Sequence, residues 1–261
     1  MKYSEVAVFA LLLMVTMTTV AIDDEEGCDE SESLLLKYTF EPSGLKYTEP
    51  DVKTKKATFA MGCFWGVEST FGAAPGVVRV KCGYTGGSKL KPTYTNLGDH
   101  TESVEIEYDP TKTTYRQLLD IFWKTHDPTE WNKSQYKSAV YAHDEEQEIW
   151  AQETLLEEQK NYGSKVVTDV LPAGTFYDAE NYHQKYFLRF HDNLLQSLGM
   201  GDGELLTSYR ASRLLGYITG NGSVEEFNKE VKNLALSNEQ ANYIRKIIRN
   251  KNSGSCAKKS P

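Results

Sequence analysis

The sequence predicts an α+β domain: a mixed sheet covered on one face by helices in the two-layer split βαβ (ferredoxin-like) arrangement, plus a C-terminal helical extension. Three observations carry this. Several short runs alternate apolar and polar residues with period two, stretches of helical period separate them in the order β-α-β-β-α-β and then α-β, and beyond Phe190 only helical patterning remains. With 261 residues, 39% of them apolar, the chain has material for one sizeable core with appendages.

The elements follow in order. Ala57 to Met61 is a short apolar run stopped by Gly62, with a helical stretch from Cys63 to Phe71 behind it, so strand, turn and helix are expected. Val78, Val80, Cys82 and Tyr84 alternate with other residues before Gly86-Gly87, and Val104, Ile106 and Tyr108 alternate with Ser103, Glu105 and Glu107. Each set reads as a strand. Tyr115, Leu118, Leu119, Phe122 and Trp123 recur at helical spacing, so a helix over Thr114 to Thr125 buries one face and stops before Asp127-Pro128. Lys137 to Tyr141 reads as a strand. Asp144 caps a helix running to about Asn161, closed by Gly163, and Val166, Thr168 and Val170 mark a last strand. In the extension, Ser223 to Glu226 and Ser237 to Gln240 offer capping boxes, and Val224, Phe227, Val231 and Leu234 make one apolar stripe.

The two ends read differently. Lys2 precedes ten apolar residues, Val6 to Val15, too few to span a bilayer comfortably, and Thr19 and Ala21 sit three and one before a cut ahead of Ile22. A signal peptide over 1–21 is expected, and with it the secretory pathway, either secretion or the endoplasmic reticulum lumen, with no membrane span once the signal is removed. Asp23 to Glu32 holds seven acidic residues, so 22–51 is expected as an acidic arm and linker. The main domain is placed at 52–190, the helical extension at 191–250, and a flexible tail carrying Cys256 at 251–261. Asn132-Lys133-Ser134 and Asn221-Gly222-Ser223 are glycosylation sequons that matter only on a secretory route.

Composition excludes some classes. The net charge is −8, from 29 basic against 37 acidic residues, and the basic cluster is confined to Arg245 to Lys259, so no nucleic-acid partner is expected. The five histidines lack metal-ligand spacing and Cys63 has no paired Cys-x-x-Cys, so no metal and no other cofactor is expected.

Chemistry concentrates at Met61-Gly62-Cys63-Phe64-Trp65-Gly66. Cys63 stands at the strand-to-helix turn, where first-turn amides and the helix dipole favour a negative sulfur and depress a thiol pKa. Flanking glycines allow close approach of a substrate, and Phe64 and Trp65 offer an apolar wall. These residues indicate a reactive thiol without specifying the reaction.

Gly62-Cys63-Phe64-Trp65-Gly66 after a strand resembles the signature of the A-type peptide-methionine (S)-S-oxide reductases. Gly83-Tyr84-Thr85-Gly86-Gly87, Pro92-Thr93-Tyr94, His100-Thr101-Glu102-Ser103-Val104, Tyr108-Asp109-Pro110, Phe122-Trp123, His126-Asp127-Pro128, Gln135-Tyr136-Lys137-Ser138 and Ala179-Glu180-Asn181-Tyr182-His183-Gln184 fall in that family's order, together covering roughly Ala57 to Phe187. The resemblance implies reduction of methionine S-sulfoxide, peptide-bound and free, by a monomer served by thioredoxin or another dithiol. It implies Cys63 as nucleophile, Glu102 as a protonated acid, Tyr94 and Tyr136 as hydrogen-bond donors to the sulfoxide oxygen, and Gly62, Phe64 and Trp65 around the methyl group. A Cys63 sulfenic acid then condenses with a second thiol to give a disulfide. The family's resolving cysteine usually follows the His-Gln motif, but here Arg189-Phe190-His191-Asp192-Asn193-Leu194 stands there. Cys256 is favoured for the role over Cys28 and over Cys82, which alternates with core valines, and a structural Cys28 to Cys256 bridge competes with it. The link from Pro128 to Tyr136 is shorter than is common in the family, which alters the substrate rim. Two other classes stay open: a cysteine hydrolase with His183 or His126 as base to Cys63, and a non-catalytic secreted binding protein.

Overall fold

The computed structural model describes residues 39–41 and 44–256, and side chains only to 253 at the C-terminal end. The expected signal peptide, most of the acidic arm including Cys28, and the last five residues lie outside the described residues.

Six strands form one sheet: β1 (Lys55–Met61), β2 (Val77–Thr85), β3 (Thr101–Tyr108), β4 (Ser138–Ala142), β5 (Asp169–Pro172) and β6 (Tyr177–Asp178), in the order β5-β4-β1-β3-β2-β6. Three helices belong to it: α1 (Phe64–Gly72), α2 (Tyr115–Lys124) and α3 (Glu145–Gln159). The central order β4-β1-β3-β2 is antiparallel throughout, with α1 joining β1 to β2 around the intervening β3. This is the split βαβ unit. The sheet is mixed because α3 carries the chain from β4 to a parallel β5.

Local chemistry explains the elements. Thr114 accepts a hydrogen bond from Gln117 N while the Gln117 side chain takes the Thr114 amide, a complete capping box, and Tyr115, Leu118, Leu119, Phe122 and Trp123 are all buried. They meet Phe59 of β1, whose ring lies 5.5 Å from Phe71, 5.9 Å from Tyr115 and 5.3 Å from Phe122. Asp144 caps α3 through Gln147 N at 2.8 Å. Two elements differ from expectation. The last long strand begins at Asp169 rather than Val166, because Val166 turns into the core and Val167 N bonds Pro128 O at 2.8 Å instead of a neighbouring strand. The two-residue β6 is too short to show a period.

The extension comprises α4 (Asp192–Ser197), α5 (Asp202–Thr207), α6 (Tyr209–Ile218), α7 (Val224–Glu230) and α8 (Asn238–Cys256). Ser223 and Glu226 form the expected capping box, and Ser237 and Gln240 exchange the same pair of bonds at 2.8 and 3.2 Å. Helix α6 packs on α1. Its Arg213 guanidinium is buried and donates to Gly72 O at 3.2 Å, to Ala74 O at 2.8 Å and to both oxygens of Glu230 at 2.8 Å, so a charged anchor ties the end of α1 to the extension. Two stretches expected to be loose are ordered. Glu49 accepts from Tyr209 N at 3.1 Å through both oxygens, an anion at the start of α6, while Arg210 covers the Tyr47 ring at 4.4 Å. Residues 252–256 continue α8, because Ile244 and Ile248 anchor its buried face and the Ser253 hydroxyl bonds back to Arg249 O at 2.6 Å.

Candidate active site

Cys63 is placed by the turn between β1 and α1. Gly62 has φ +86°, a left-handed conformation that glycine adopts without strain, and Cys63 is the extended N-cap residue of α1, its carbonyl accepting from Gly66 N at 3.2 Å and Val67 N at 3.4 Å. Its side chain reaches the surface. Phe64 is buried, and its amide donates to Glu102 Oε2 at 3.1 Å.

Glu102 opens β3 opposite Tyr84 and is 1% exposed. Its other oxygen accepts from Gln135 Nε2 at 2.8 Å. Burial raises its pKa to about 7, against the lowering effect of hydrogen bonds from Gln135, the Phe64 amide and Tyr136. The carboxyl group therefore carries a proton in a large fraction of molecules at neutral pH. The Tyr136 and Tyr94 hydroxyls bond to one another, and Gln135 Nε2 also donates to Tyr136 Oη at 3.2 Å. The pKa of Cys63 feels Glu102, and those of Tyr94 and Tyr136 feel both Glu102 and Cys63, so the four groups converge.

One expectation is corrected. The Cys63 thiol is raised above its ordinary value, not depressed: burial and the Glu102 charge outweigh the lowering effect of the Trp65 and Gly66 amides. Its sulfur is exposed at one side and walled by protein on the others, and the Phe64 amide is spent on Glu102. At rest Cys63 is held as a thiol.

The far side of the site is aromatic. Trp65 stacks on Tyr186 at 3.7 Å and donates its indole N–H to His183 Nδ1 at 3.0 Å. The turn carrying His183 is fastened by Gln184, which bonds Cys82 N at 3.0 Å and Cys82 O at 2.8 Å like a strand neighbour. Lys185 follows, fully buried, with Nζ 2.6 Å from Glu68 of α1. Glu180 accepts from the Tyr84 hydroxyl at 2.7 Å and the Tyr94 amide at 3.0 Å.

The structure thus brings Gly62, Cys63, Phe64, Trp65, Tyr94, Glu102 and Tyr136 to one place. Cys82 is fully buried, donates its thiol to Phe64 O at 3.5 Å and has its pKa pushed well up by burial, an inert packed cysteine. Cys256 is the last residue of α8, with its side chain outside the described residues. Neither histidine serves Cys63 as a base. His126 spends Nδ1 on Phe122 O and Nε2 on Ser138, each at 2.8 Å, and His183 accepts from Trp65. The sequence alone assigns no role to Gln135, Glu180, Tyr186 or the His183–Trp65 bond; all but Tyr186 lie in the family-like runs, but nothing in their spacing shows which partner each side chain meets. Among the described residues no group of three His, Cys, Asp or Glu side chains could hold a metal ion, and no helix is long and apolar enough to cross a membrane.

Comparison with known proteins places this geometry. Residues 55–199 match the family model described as peptide methionine sulfoxide reductase, and residues 199–249 match that for the helical domain of selenoprotein methionine sulfoxide reductase A. A peptide methionine sulfoxide reductase of Drosophila melanogaster is 46% identical over 198 residues, spanning 74% of this chain and 80% of the relative. One from Methanosarcina acetivorans is 40% identical over 186 residues, spanning 66% of this chain and 98% of the relative. The crystal structure of Mxr1 from Saccharomyces cerevisiae in reduced form superposes with a TM-score of 0.50 at 32% identity, over 56% of this chain and 90% of that one.

Proposed function

The chain belongs to the A-type peptide methionine sulfoxide reductases, thiol oxidoreductases that reduce methionine sulfoxide, and from that premise we propose how its own residues divide the work. Phe64 and Trp65 clasp the methyl group next to the sulfoxide sulfur, and the Tyr94 and Tyr136 hydroxyls hold the oxygen. Cys63 Sγ attacks the sulfur while Glu102 gives its proton to the oxygen, and Glu102 is recharged by the proton leaving the thiol. In balance, the sulfoxide and the cysteine thiol give the thioether and the cysteine sulfenic acid: one oxygen atom passes from substrate sulfur to Cys63 Sγ, the substrate gains two electrons and Cys63 loses them. Cys256 then attacks the sulfenic acid, releasing water and forming a disulfide, which thioredoxin or another dithiol reduces.

The observation that carries this reading is Glu102: a buried carboxyl with a pKa of about 7, bonded to the amide next to the nucleophile and adjoining a tyrosine pair. Fixing oxygen and methyl group on opposite walls makes the site chiral, which supports a single epimer as substrate, and the family resemblance makes that the S form. The test is turnover of the purified chain on each epimer with excess dithiothreitol. Strongly preferred consumption of the S form, lost in Cys63→Ser, supports the proposal; consumption undiminished in that variant refutes it.

We also propose that the chain acts as a monomer on protein-bound and free methionine sulfoxide in the secretory pathway, led there by the apolar run Val6 to Val15. Recovery from expressing cells of a mature protein beginning at Ile22 supports the route; an intact N-terminus in the cytosol contradicts it.

A further inference from the structure

We propose that Glu180 and His183 act as a positioning pair that fixes the methyl wall of the pocket relative to its oxygen-holding side, and so sets the discrimination between sulfoxide epimers. The inference rests on the reading above, in which Trp65 faces the methyl group and Tyr94 the oxygen.

The chain of contacts is continuous. An indole nitrogen is only ever a donor, so the 3.0 Å bond from Trp65 Nε1 to His183 Nδ1 requires a lone pair on Nδ1 and puts the ring proton on Nε2. That Nε2 is buried without a hydrogen-bond partner among the described residues, and Glu180 Oε2 lies 4.0 Å from it. The ring is enclosed by Tyr182, Tyr94 and Phe64 at 4.1, 4.6 and 5.0 Å between centroids. Burial keeps it neutral, its pKa lowered to about 4, as it must be to accept from Trp65. The Glu180 carboxylate holds the other tautomer off: with the proton on Nδ1, a lone pair would face the carboxylate and N–H would oppose N–H at Trp65. The same carboxylate holds the Tyr94 amide at 3.0 Å and the Tyr84 hydroxyl at 2.7 Å. One anion thus touches the loop bearing the oxygen ligand and, through a single imidazole, orients the indole across from it. A displacement of about an ångström between such walls costs up to about a hundredfold in rate.

Glu180→Gln separates this role from simple support of the loop. The amide oxygen still accepts from Tyr94 N and the amide nitrogen can donate to Tyr84, but that nitrogen now opposes the His183 N–H and presses the ring toward the tautomer that repels Trp65. The variant is assayed on both epimers of a methionine sulfoxide peptide with dithiothreitol, and the Trp65 indole N–H resonance, assigned by its loss in Trp65→Phe, is recorded in parallel. Expected are a rise in KM of about tenfold with kcat within about threefold, a fall in the epimer ratio of about tenfold, and a shifted, faster-exchanging resonance. His183→Gln, whose amide oxygen can accept from Trp65 without any tautomer choice, should keep the ratio within about threefold, whereas His183→Leu should lose it. An unchanged ratio and resonance in folded Glu180→Gln, or equal loss in both His183 variants, overturns the proposal. Absence of turnover in the unsubstituted chain would strike the function reading instead; the pair is judged on the ratio and the resonance.

Discussion

Gly72, the last residue of α1, and Gly216, inside α6, meet with no room for a methyl group between them. A Cβ on Gly72 would stand 2.5 Å from Ser212 O and 2.9 Å from Gly216 N, and one on Gly216 would collide with the backbone of Ala73. The helix that presents Cys63 therefore lies in backbone contact with the extension. Gly216→Ala should lower unfolding stability by about 1–3 kcal/mol through overpacking. Gly203→Ala, in α5 with nothing within 4 Å of its added methyl, should change it little or raise it by up to about 1 kcal/mol. Denaturant titration of the pair checks the contrast, and equal effects would contradict it.

The buried Lys185–Glu68 pair predicts a pattern of its own. Both side chains are fully buried, and Lys185 Nζ also donates to Val80 O at 2.6 Å. Lys185→Met leaves Glu68 charged and unpaired, at a cost of about 3–5 kcal/mol. Adding Glu68→Gln to that variant should recover a good part of the loss, since the uncompensated charge is gone. No recovery in the double variant would show that packing around Lys185, not charge, is what matters.

Glu102 predicts a pH dependence. Its folded pKa of about 7 lies above the ordinary 4.5, so the folded state favours the protonated form. The stability this contributes is complete below about pH 4 and lost as pH rises through about 7, amounting to roughly 3 kcal/mol. Glu102→Gln should remove that slope. In single-turnover assays the unsubstituted chain should slow above about pH 7, and the variant should be slower by about a hundredfold or more without that limb. A variant that keeps the limb would assign it to another group.

The period-two and helical runs made most of this fold legible, because the helical stripe Tyr115, Leu118, Leu119, Phe122 and Trp123 of α2 is buried as one face and packs on strand residues such as Phe59. The misses have physical causes. β6 is two residues of pairing at an edge, and Tyr47 and Glu49 join the fold through one ring and one carboxylate, leaving no pattern. At the site, the glycine, the cysteine and its aromatic neighbours are adjacent in sequence and were readable as a unit. Glu180 and His183 act on residues about 85 to 120 positions away, so their partners become visible only once Gln184 stitches their turn to β2. The thiol's raised pKa was also out of reach, since it depends on burial and on a carboxyl brought in by β3.

The second thiol gives a prediction that two variants separate. Cys256→Ser should reduce one equivalent of sulfoxide at the original rate yet fail to cycle with thioredoxin, while Cys82→Ala should cycle normally, its sulfur being sealed in the core. Thiol counts and steady-state rates distinguish these. Normal cycling by Cys256→Ser would move the role to Cys28.

The most direct measurement starts from fully reduced Cys256→Ser protein, given one equivalent of the S-sulfoxide of methionine in the presence of dimedone, with the methionine formed and the site of the adduct determined by peptide mass mapping. One methionine per molecule with the adduct on the Cys63 peptide is the expected result. Methionine formed with Cys63 unmodified, or no methionine at all, would contradict a thiol at the head of α1 taking oxygen from an oxidised thioether.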